Sequence, residues 1–365
     1  MKNSIKYIHE FRNPGISGGI INNINRAVKK NISLMEVCGT HTMAIAKHGI
    51  RGLITDKINL VSGPGCPVCV TAQGDVDNMI ALSRIKGVIV VTFGDMLKVP
   101  GTVSNLSAEK ERGADIRVVY SPLESVEIAK RNKSRKVVFL AIGFETTAPL
   151  IAACIKDAKK HSLKNYFIYS THKLVIPAML ALLESPGVGI DGFICPGHVS
   201  VITGSKYYSP VIKKYGLPCV IAGFEPLDIL QAIFMLVKQV VDGRSEIEAQ
   251  YSRAVTEGGN EISKKLLAEV FSVSDACWRG LGKIRKSGLK LKSAYAAFDA
   301  EKEFCLKNKV VAENVSCMCG SILKGIKKPY ECKLFKKKCT PDAPYGPCMV
   351  SSEGTCAAYY RYGGE

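Results

Sequence analysis

Short apolar runs alternate along the chain with segments whose apolar residues recur at helical spacing. The runs are rich in valine, isoleucine and leucine, and each ends in a small or polar turn before a helix-compatible segment. Such nearly continuous apolar strands are typical of parallel sheets that helices cover on both faces, so the pattern predicts an α/β protein. The clearest pairs of run and turn are SLMEV with CGTHT, GVIVV with TFGDM, KVVFLAI with GFETTAP, IDGFI with CPGHVS, and PCVIA with GFEPLD.

Followed along the whole chain, this pattern predicts two parallel-sheet, Rossmann-like domains and a small cysteine-rich domain. We expect the first α/β domain at residues 1–130 and the second at residues 131–242, with the basic segment AKRNKSRK near their boundary. Residues 243–304 have a polar, helical pattern and are predicted to form a helical connecting region. From 305 to 365 the chain turns to cysteine, lysine, proline and glycine, and a segment so poor in apolar periodicity needs a staple to fold.

Polar turns follow the predicted parallel strands, and ligands of open α/β sheets bind beyond the carboxyl ends of strands. These turns can therefore converge on one cleft. The polar side chains that we expect there are Thr40, Thr42, Glu145, His198 and Glu225.

The chain contains fourteen cysteines, and the chemistry expected of them depends on the cellular compartment. The first residues, MKNSIKYIHEFRNPGISGG, contain no apolar signal-peptide region, and no stretch of 18 residues is free of charged and polar breaks. We therefore expect a cytoplasmic protein with no membrane partner. Because the cytosol keeps thiols reduced, the cysteines indicate metal binding or redox chemistry rather than structural disulfides.

Basic residues are in excess, with 50 Lys and Arg against 32 Asp and Glu and a formal net charge of +18. Such a charge would suit an anionic partner. Aromatic residues make up only 7% of the chain and are not interleaved with the C-terminal lysines, as a base-stacking surface would require. A solvated basic face or an acidic protein partner is therefore favoured over nucleic acid.

Two cysteine motifs follow predicted strands. Cys38 lies in MEVCGTHT, three residues before His41. A lone cysteine is often a buried packing residue, but this turn supplies hydroxyl and imidazole groups that can orient a thiolate or its ligand. Cys66 and Cys69 lie in GPGCPVC, which is compatible with half of a metal site, a redox couple or packing. A position at the start of a helix lowers a thiol pKa, so we predict a lowered pKa for one of this pair.

Six further cysteines lie within 40 residues of the C-terminal segment. Thiolate sulfur is the ligand that iron–sulfur clusters require, and four thiolates can hold a [4Fe-4S] cluster and order a lysine-rich segment. Zinc and simple packing remain alternatives, although the spacing differs from the paired C-x-x-C of a zinc ribbon. The residues alone leave open which four bind, and the other two could form a neighbouring dithiol. The six are Cys317, Cys319, Cys332, Cys339, Cys348 and Cys356.

Several long motifs resemble those of the HypD family of hydrogenase maturation factors, over residues from about 30 to the last. The resemblance implies a scaffold that assembles the Fe(CN)2CO unit of [NiFe] hydrogenase. It also implies two partners, a HypC-type chaperone and a HypE-type cyanide donor, and Fe(II) carrying cyanide and CO as the cargo. The motifs that carry the resemblance are MEVCGTHT, GPGCPVC, TFGDM, GFETTAP, PGHVSVITG, GFEPLDIL and the closing CMCGSILKG and PYGPCMVSSEGTCAAYYRYGG.

The resemblance also implies roles for individual residues. Cys38 would bind the iron, with His41 beside it, and Cys66 and Cys69 would act as a redox-active dithiol. A [4Fe-4S] cluster would be bound by four C-terminal cysteines, and the remaining two would form a redox pair. The implied cluster ligands are Cys317, Cys332, Cys339 and Cys356, and the implied redox pair is Cys319 and Cys348.

Two other functions are compatible with the residues. The first is a general iron–sulfur thiol-disulfide oxidoreductase that passes electrons through Cys66 and Cys69, which should react with many protein disulfides. The second is a basic nucleic-acid-binding protein with a structural metal, whose affinity should depend steeply on salt.

Overall fold

The computed structural model describes residues 10–307, 311 and 316–363. The first nine residues of the N-terminal segment discussed above, and part of the predicted cysteine-rich domain, lie outside these ranges. The described chain has parallel sheets and a cysteine-rich C-terminal region, which confirms the predicted α/β class. Within the described ranges, no helix is both long and apolar enough to cross a membrane.

The strands follow the apolar runs of the sequence, because β-branched residues pack well on a sheet that is buried on both faces. In the run VIVVT, for example, every residue is buried. The strands are β1 (Ile32–Glu36), β2 (Ile58–Ser62), β3 (Val88–Thr92), β4 (Ile116–Val118), β5 (Lys136–Ala141), β6 (Tyr166–Ser170), β7 (Gly192–Pro196), β8 (Cys219–Ala222), β9 (Ile247–Ala249), β10 (Phe271–Trp278) and β11 (Gly282–Leu291).

Helices connect most of these strands, and several begin with proline in the first turn, where its missing N–H costs no hydrogen bond. The α-helices are α1 (Pro14–Ala27), α2 (Gly39–Lys47), α3 (Ile50–Leu53), α4 (Pro67–Val70), α5 (Gln73–Ser83), α6 (Leu106–Glu111), α7 (Pro122–Arg131), α8 (Ala148–Lys160), α9 (Val175–Leu183), α10 (Gly197–Thr203), α11 (Ser209–Tyr215), α12 (Pro226–Val241), α13 (Glu261–Val270), α14 (Ala300–Glu303), α15 (Cys319–Leu323), α16 (Pro347–Val350) and α17 (Thr355–Tyr362).

Two parallel sheets form the framework. The first has the strand order β2-β1-β7-β8-β9, and the second has the order β4-β3-β5-β6. In the first sheet Leu34 of β1 lies opposite Leu60 of β2 and Gly192 of β7. In the second, Val90 of β3 lies opposite Ile116 of β4 and Val138 of β5.

The sheets contradict the domain boundary predicted at residue 130. Strands β3 and β5 lie on opposite sides of that boundary, yet they are neighbours in the second sheet. Likewise β1 pairs with β7, with Met35 opposite Phe193, although the prediction assigns them to different domains. The second sheet is thus formed by a segment that lies in the chain between strands of the first. An apolar run indicates a strand, but it does not indicate which distant strand will pair with it.

The helical connecting region predicted at 243–304 is also corrected by the structure. It contains α13, but it also contains the edge strand β9 and the antiparallel hairpin of β10 and β11. Phe271 and Trp278 at the ends of β10 are buried, whereas Ser272 and Val273 between them are exposed. One face of this hairpin meets solvent, so its lysine and serine residues give a polar pattern that we interpreted as helical.

The cysteine-rich C-terminal segment packs against the first sheet. Helix α17 packs on α2, and α16 packs on α4. Arg51 connects the two parts, because it pairs with the buried Glu36 at the end of β1 and lies over the ring of Tyr359 at 4.9 Å. This packing brings the C-terminal cysteines to the carboxyl ends of β1 and β2.

Candidate functional site

Cys38 immediately precedes α2, two residues after the end of β1, and its side chain is buried with 1% exposure. The GPGCPVC loop lies directly against it, and the N–H of Gly39 donates to the carbonyl of Gly65 at 3.0 Å. A Cβ on Gly65 would lie 2.1 Å from the Cys38 nitrogen, and one on Gly39 would lie 3.2 Å from Cys66 Cβ. Only glycine at these two positions allows the loops to approach so closely, and this approach places Cys38 beside Cys66.

The Cys38 thiol faces the ring of His198. Its sulfur lies 4.0 Å from both ring nitrogens of His198, which stacks on Phe224 with ring centroids 5.2 Å apart. Burial lowers the pKa of His198 to about 4, so this ring is neutral near pH 7. Burial, together with the nearby carboxylate of Glu353, raises the pKa of Cys38 to about 12. Without a bound metal, the site therefore contains a protonated thiol next to a neutral imidazole.

Glu353 connects this thiol site to the C-terminal segment. The hydroxyl of Thr40 donates to Glu353 at 2.6 Å, and the hydroxyl of Ser351 donates to Asp95 at 2.9 Å. Burial raises the pKa of the Glu353 carboxyl. The two hydrogen bonds join α2 and the loop after β3 to the same C-terminal turn.

A pocket of about 790 Å³, measured with its open mouth, lies where the carboxyl ends of the two sheets meet. The loops after β2 and β7 form one wall, and the loops after β3 and β5 form another. Its polar lining comes from His198, Asp95, Ser351, Glu353 and the threonines that follow Phe144. As predicted from the turns, residues distant in the chain converge at a cleft, but His198 is the one predicted residue that lines this pocket.

Cys66 and Cys69 form a pair of buried thiols at the short helix α4. Their sulfurs are 2.6 Å apart, and the Cys66 sulfur accepts from the N–H of Cys69 at 3.3 Å. Burial raises the pKa of Cys69 well above the ordinary value. A lowered pKa for Cys69 is therefore wrong, because the loss of hydration outweighs the small dipole of a four-residue helix.

The C-terminal thiols continue from this pair. The Cys69 thiol interacts with the neighbouring Cys348 thiol, and its sulfur lies 4.0 Å from the carbonyl oxygen of Pro347. The sulfurs of Cys348 and Cys319 lie 2.9 Å apart, and all these cysteines are free thiols in the structure. Four thiols thus follow one another from the GPGCPVC loop to the C-terminal segment.

The six C-terminal cysteines line one narrow apolar pocket, whose free interior is only about 10 Å³. Cys356 interacts electrostatically with Cys317, Cys332 and Cys339, and Cys339 interacts with the first two of these. Within the described ranges, no group of three or more His, Cys, Asp or Glu side chains is arranged to hold a metal ion. The donor set nevertheless fits an iron–sulfur cluster in its chemistry, because it consists of thiols in an apolar, protected pocket.

A buried arginine adjoins this pocket. Arg279 is 5% exposed, its Nε donates to the carbonyl of Thr71 at 3.0 Å, and its positive charge opposes the rise in the pKa of Cys317. Its second terminal nitrogen, Nη2, is buried without a hydrogen-bond partner among the described residues. The arginine therefore lies between the segment that follows the dithiol and the pocket of the six cysteines.

His41 and Thr42 are near the site but do not contact the Cys38 sulfur with their side chains. The His41 ring is buried, and its Nε2 donates to the carbonyl of Gly223 at 2.9 Å. The Thr42 hydroxyl donates to the carbonyl of Cys38 at 3.2 Å. His198 is the imidazole that faces the thiol, whereas His41 connects α2 to the loop after β8.

Glu145 and Glu225 are not part of the pocket lining. We expected Glu145 to line the cleft, but it is 3% exposed and accepts from the N–H of Val175 at 2.9 Å. Glu225 directly precedes α12 and forms an ion pair with Arg12 at 2.5 Å. Both carboxylates support helix starts, and Glu145 is buried because the chain folds back over it.

Sequence reasoning missed five polar residues of the pocket, namely Glu353, Asp95, Ser351, Thr146 and Thr147. A signal was present for two of them. Asp95 lies in the polar turn TFGDM, and Glu353 lies in the segment SSEGTC between two cysteines. Neither position could be chosen over other acidic residues until the C-terminal segment was seen to fold onto the first sheet.

Comparisons with known proteins show the family of this chain. The family model HypD, described as the hydrogenase formation hypA family, matches residues 16–363. The hydrogenase maturation factor HypD of Azotobacter vinelandii is 47% identical over 369 residues, which cover 98% of this chain and 97% of that protein. The HypD of Escherichia coli (strain K12) is 40% identical, over 98% of both chains. The HypD of Rhodobacter capsulatus is 43% identical, over 99% of both chains. The chain therefore belongs to the HypD family of hydrogenase maturation factors.

Proposed function

We propose that this protein is a scaffold on which the Fe(CN)2CO unit of [NiFe] hydrogenase is assembled, together with a HypC-type chaperone and a HypE-type cyanide donor. One observation carries the proposal. The single thiol of Cys38 lies at the junction of the two sheets, 4.0 Å from the ring of His198 and directly beside the Cys66–Cys69 pair. This is the arrangement that an iron-binding thiolate with adjacent redox thiols requires.

In this proposal Cys38 binds the iron cargo. Low-spin Fe(II) that carries cyanide and CO still needs donors to hold it, and a soft thiolate is suited to that role. A second thiolate from a small partner would share the iron across an interface, so the unit could leave when the interface opens. Binding requires the Cys38 proton to depart, which makes iron uptake dependent on pH. A ring N–H of His198 is placed to donate to a cyanide nitrogen, whereas the Thr40 hydroxyl already donates to Glu353.

Electrons would move between the thiol pairs by disulfide exchange. If Cys319 and Cys348 are joined as a disulfide, the sulfur of Cys69 attacks Cys348 and releases Cys319. Cys66 then attacks Cys69 and releases Cys348. Two electrons and two protons have then passed to Cys319 and Cys348, and Cys66 and Cys69 are joined instead. This route is supported by the contact between Cys69 and Cys348 and by the short distances within each pair.

A [4Fe-4S] cluster would be held by four of the C-terminal cysteines and would supply one-electron transfer beside the thiol pairs. The family resemblance selects the four. The selection is supported by the pairing of Cys319 with Cys348, which leaves the other four thiols around the same apolar pocket. These four are Cys317, Cys332, Cys339 and Cys356. The cluster cysteines and Cys38 must be free to bind metal, and a reducing compartment such as the cytoplasm keeps them so.

A general iron–sulfur thiol-disulfide oxidoreductase remains the second candidate, because the continuous series of thiols would also serve that function. Burial argues against it. Cys66 is 3% exposed and Cys69 is 0% exposed, so a protein disulfide could not reach either sulfur without opening the fold. A buried dithiol is better suited to exchange within the molecule.

The test is to isolate the anaerobic complex of the protein with its HypC-type partner and to record its infrared spectrum. We expect bands from cyanide and CO bound to iron. Bands that appear on the partner alone, with none on the complex, would place assembly elsewhere. Reduction of many unrelated protein disulfides by the isolated chain would favour the oxidoreductase instead.

A further inference from the structure

A second pocket of the described chain plays no part in the proposed thiol site. It measures about 940 Å³ with its open mouth and lies at the carboxyl end of β6, which is where α/β sheets bind ligands. The start of α5 and the hairpin of β10 and β11 complete its walls. The floor is buried and includes Ser170, His172 and Lys173, whereas the rim includes the exposed Lys283 and Asp275.

The hydrogen bonds around His172 define which of its nitrogens carries the proton. The carbonyl of Leu289 can only accept, so the Ser170 hydroxyl donates its proton there, at 2.9 Å. The same hydroxyl oxygen must then accept from Nδ1 of His172, at 3.0 Å. Burial lowers the pKa of His172 to about 3, so the ring is neutral and Nε2 is a bare acceptor.

This acceptor has no partner. Among the described residues no group donates to His172 Nε2, although the atom is buried. Phe271 holds the ring by an edge-on contact, with centroids 5.5 Å apart. A buried polar atom without a partner is costly, so the pocket is prepared for a molecule that brings a hydrogen-bond donor.

Lys173 requires a ligand that accepts hydrogen bonds, whereas His172 requires one that donates a hydrogen bond. Its side chain is 3% exposed, and the partner that we find for its ammonium is Asp75, at the long distance of 3.5 Å. An ammonium has three N–H groups, so most of its hydrogen-bonding capacity is not used by this contact. The backbone of Lys173 is held firmly, because its N–H donates to the carbonyl of Gly143 at 3.0 Å. The amine is thus positioned for an acceptor inside the pocket.

Two further features favour a negatively charged acceptor. The hydroxyl of Ser274 is buried in the pocket wall without a partner among the described residues. The eleven-residue helix α5 begins at the wall after Ala72, whose methyl group cannot cap the first N–H groups. The positive end of that helix therefore adjoins the pocket. The carboxylate of Asp75 would repel a dianion, so we expect a ligand with a single negative charge.

From these contacts we propose that the pocket binds a small carboxylate monoanion that also carries a hydroxyl donor, as an α-hydroxy acid or bicarbonate does. The carboxylate accepts from Lys173 and Ser274. The hydroxyl donates to Nε2 of His172. The proposal requires no iron cargo and no partner protein, so it stands or falls separately from the proposed function.

The test uses the full-length protein labelled with 15N-histidine, titrated with glycolate and with acetate at constant ionic strength. These two ions differ by one hydroxyl group. We expect glycolate to shift the His172 signal and to bind roughly tenfold more tightly than acetate, since one added hydrogen bond in a buried site has about that effect. A parallel titration with bicarbonate shows whether the pocket binds bicarbonate or an α-hydroxy acid more tightly.

Variants locate the binding. In His172→Phe, glycolate should bind no more tightly than acetate, and in Lys173→Met neither ion should bind. Ser274→Ala is a milder change that should weaken both ions, and it keeps the test valid if Lys173→Met fails to fold. Lys283→Met removes the same charge from the exposed rim and is the matched control, with affinity within about twofold of wild type. Equal affinity for glycolate and acetate, or no His172 shift with glycolate or bicarbonate, would overturn the proposal.

Discussion

The thiols at the carboxyl ends of the first sheet and the thiols of the C-terminal segment are held by different means. Cys38 and Cys66 follow strands β1 and β2, and their loops are fixed by the contact between Gly39 and Gly65. The C-terminal cysteines lie on turns and on the short helices α15, α16 and α17, of which the longest has eight residues. The sheet positions the first group directly, whereas the second group depends on packing and on what it binds.

This difference matters for metal binding. Both groups are buried, and burial raises the pKa of Cys38, Cys69 and Cys356. A metal must displace these protons, and its binding free energy becomes folding free energy only where the site is not already formed. We therefore expect loss of metal to loosen the C-terminal segment and to leave the first sheet intact.

The largest effect should follow from Cys332→Ala or Cys339→Ala. The wild-type protein, purified without oxygen, should be brown and contain about four irons and four sulfides per chain, as one [4Fe-4S] cluster requires. Either change should remove this iron and make the C-terminal segment sensitive to proteases, because the cluster no longer joins the turns that carry its ligands. Iron analysis and limited proteolysis with mass spectrometry measure both effects.

Cys305→Ala is the matched control, since Cys305 is an exposed cysteine outside the pocket of the six. It should retain the iron. A colourless wild-type protein with one stoichiometric zinc would contradict the cluster, and cleavage of the first sheet at the same rate as the C-terminal segment would contradict the comparison.

Cys38→Ser tests the thiols that the first sheet positions directly. A serine has nearly the same volume, so we expect the fold and the C-terminal iron to remain, with a loss of about 1–3 kcal/mol in the free energy of unfolding from burying a hydroxyl. The cyanide and CO infrared bands of the complex should disappear, and hydrogenase maturation in cells should fail. Bands of wild-type intensity in the Cys38→Ser complex would show that the iron is held by another residue.

The Cys66–Cys69 dithiol adjoins the C-terminal thiols. Its oxidation state therefore reports electron transfer between the thiols at the first sheet and those of the C-terminal segment. Cys66 and Cys69 should form and break a disulfide within roughly −200 to −320 mV, the range set by the cytosol. Cys348→Ser should abolish electron transfer from this pair to the C-terminal segment, because it removes the sulfur that Cys69 attacks and with it the accepting disulfide. Alkylation at defined potentials, followed by mass spectrometry, measures both. If Cys66 and Cys69 never form a disulfide in this range, their redox role is wrong and a packing or metal-binding role remains.

The smallest effect should come from Glu353→Gln. The Glu353 charge is the second cause, after burial, of the raised pKa of Cys38, so its removal should bring that pKa below about 12. Because the Cys38 pKa is raised from 9.0 in the folded chain, the free energy of unfolding should decline as pH rises from about 9 to about 12. This decline should be smaller in Glu353→Gln and absent, for this residue, in Cys38→Ser. An unchanged pH profile in both variants would show that the thiol is not coupled to folding.

The parts of the fold that the sequence predicted well are those with a strong local pattern. The runs that became β3, β5, β7 and β8 are nearly continuously apolar because both faces of their sheets are covered. The β10–β11 hairpin was missed because one of its faces meets solvent, and its alternation is interrupted where the pairing register shifts between Ser274 and Ala276. The boundary at residue 130 was wrong because strand pairing joins segments that are far apart in the chain.

The same distinction applies to the candidate residues. The motifs around Cys38, around Cys66 and Cys69, and near the C-terminus were sufficient to indicate thiol chemistry and the HypD family, because residue type and short-range spacing carry that information. Only the tertiary structure placed His198 rather than His41 against Cys38, buried Glu145, and brought Glu353 to the same pocket. These outcomes depend on which distant loops pack together and which side chains lose water, and those interactions arise only when the two sheets and the C-terminal segment are assembled.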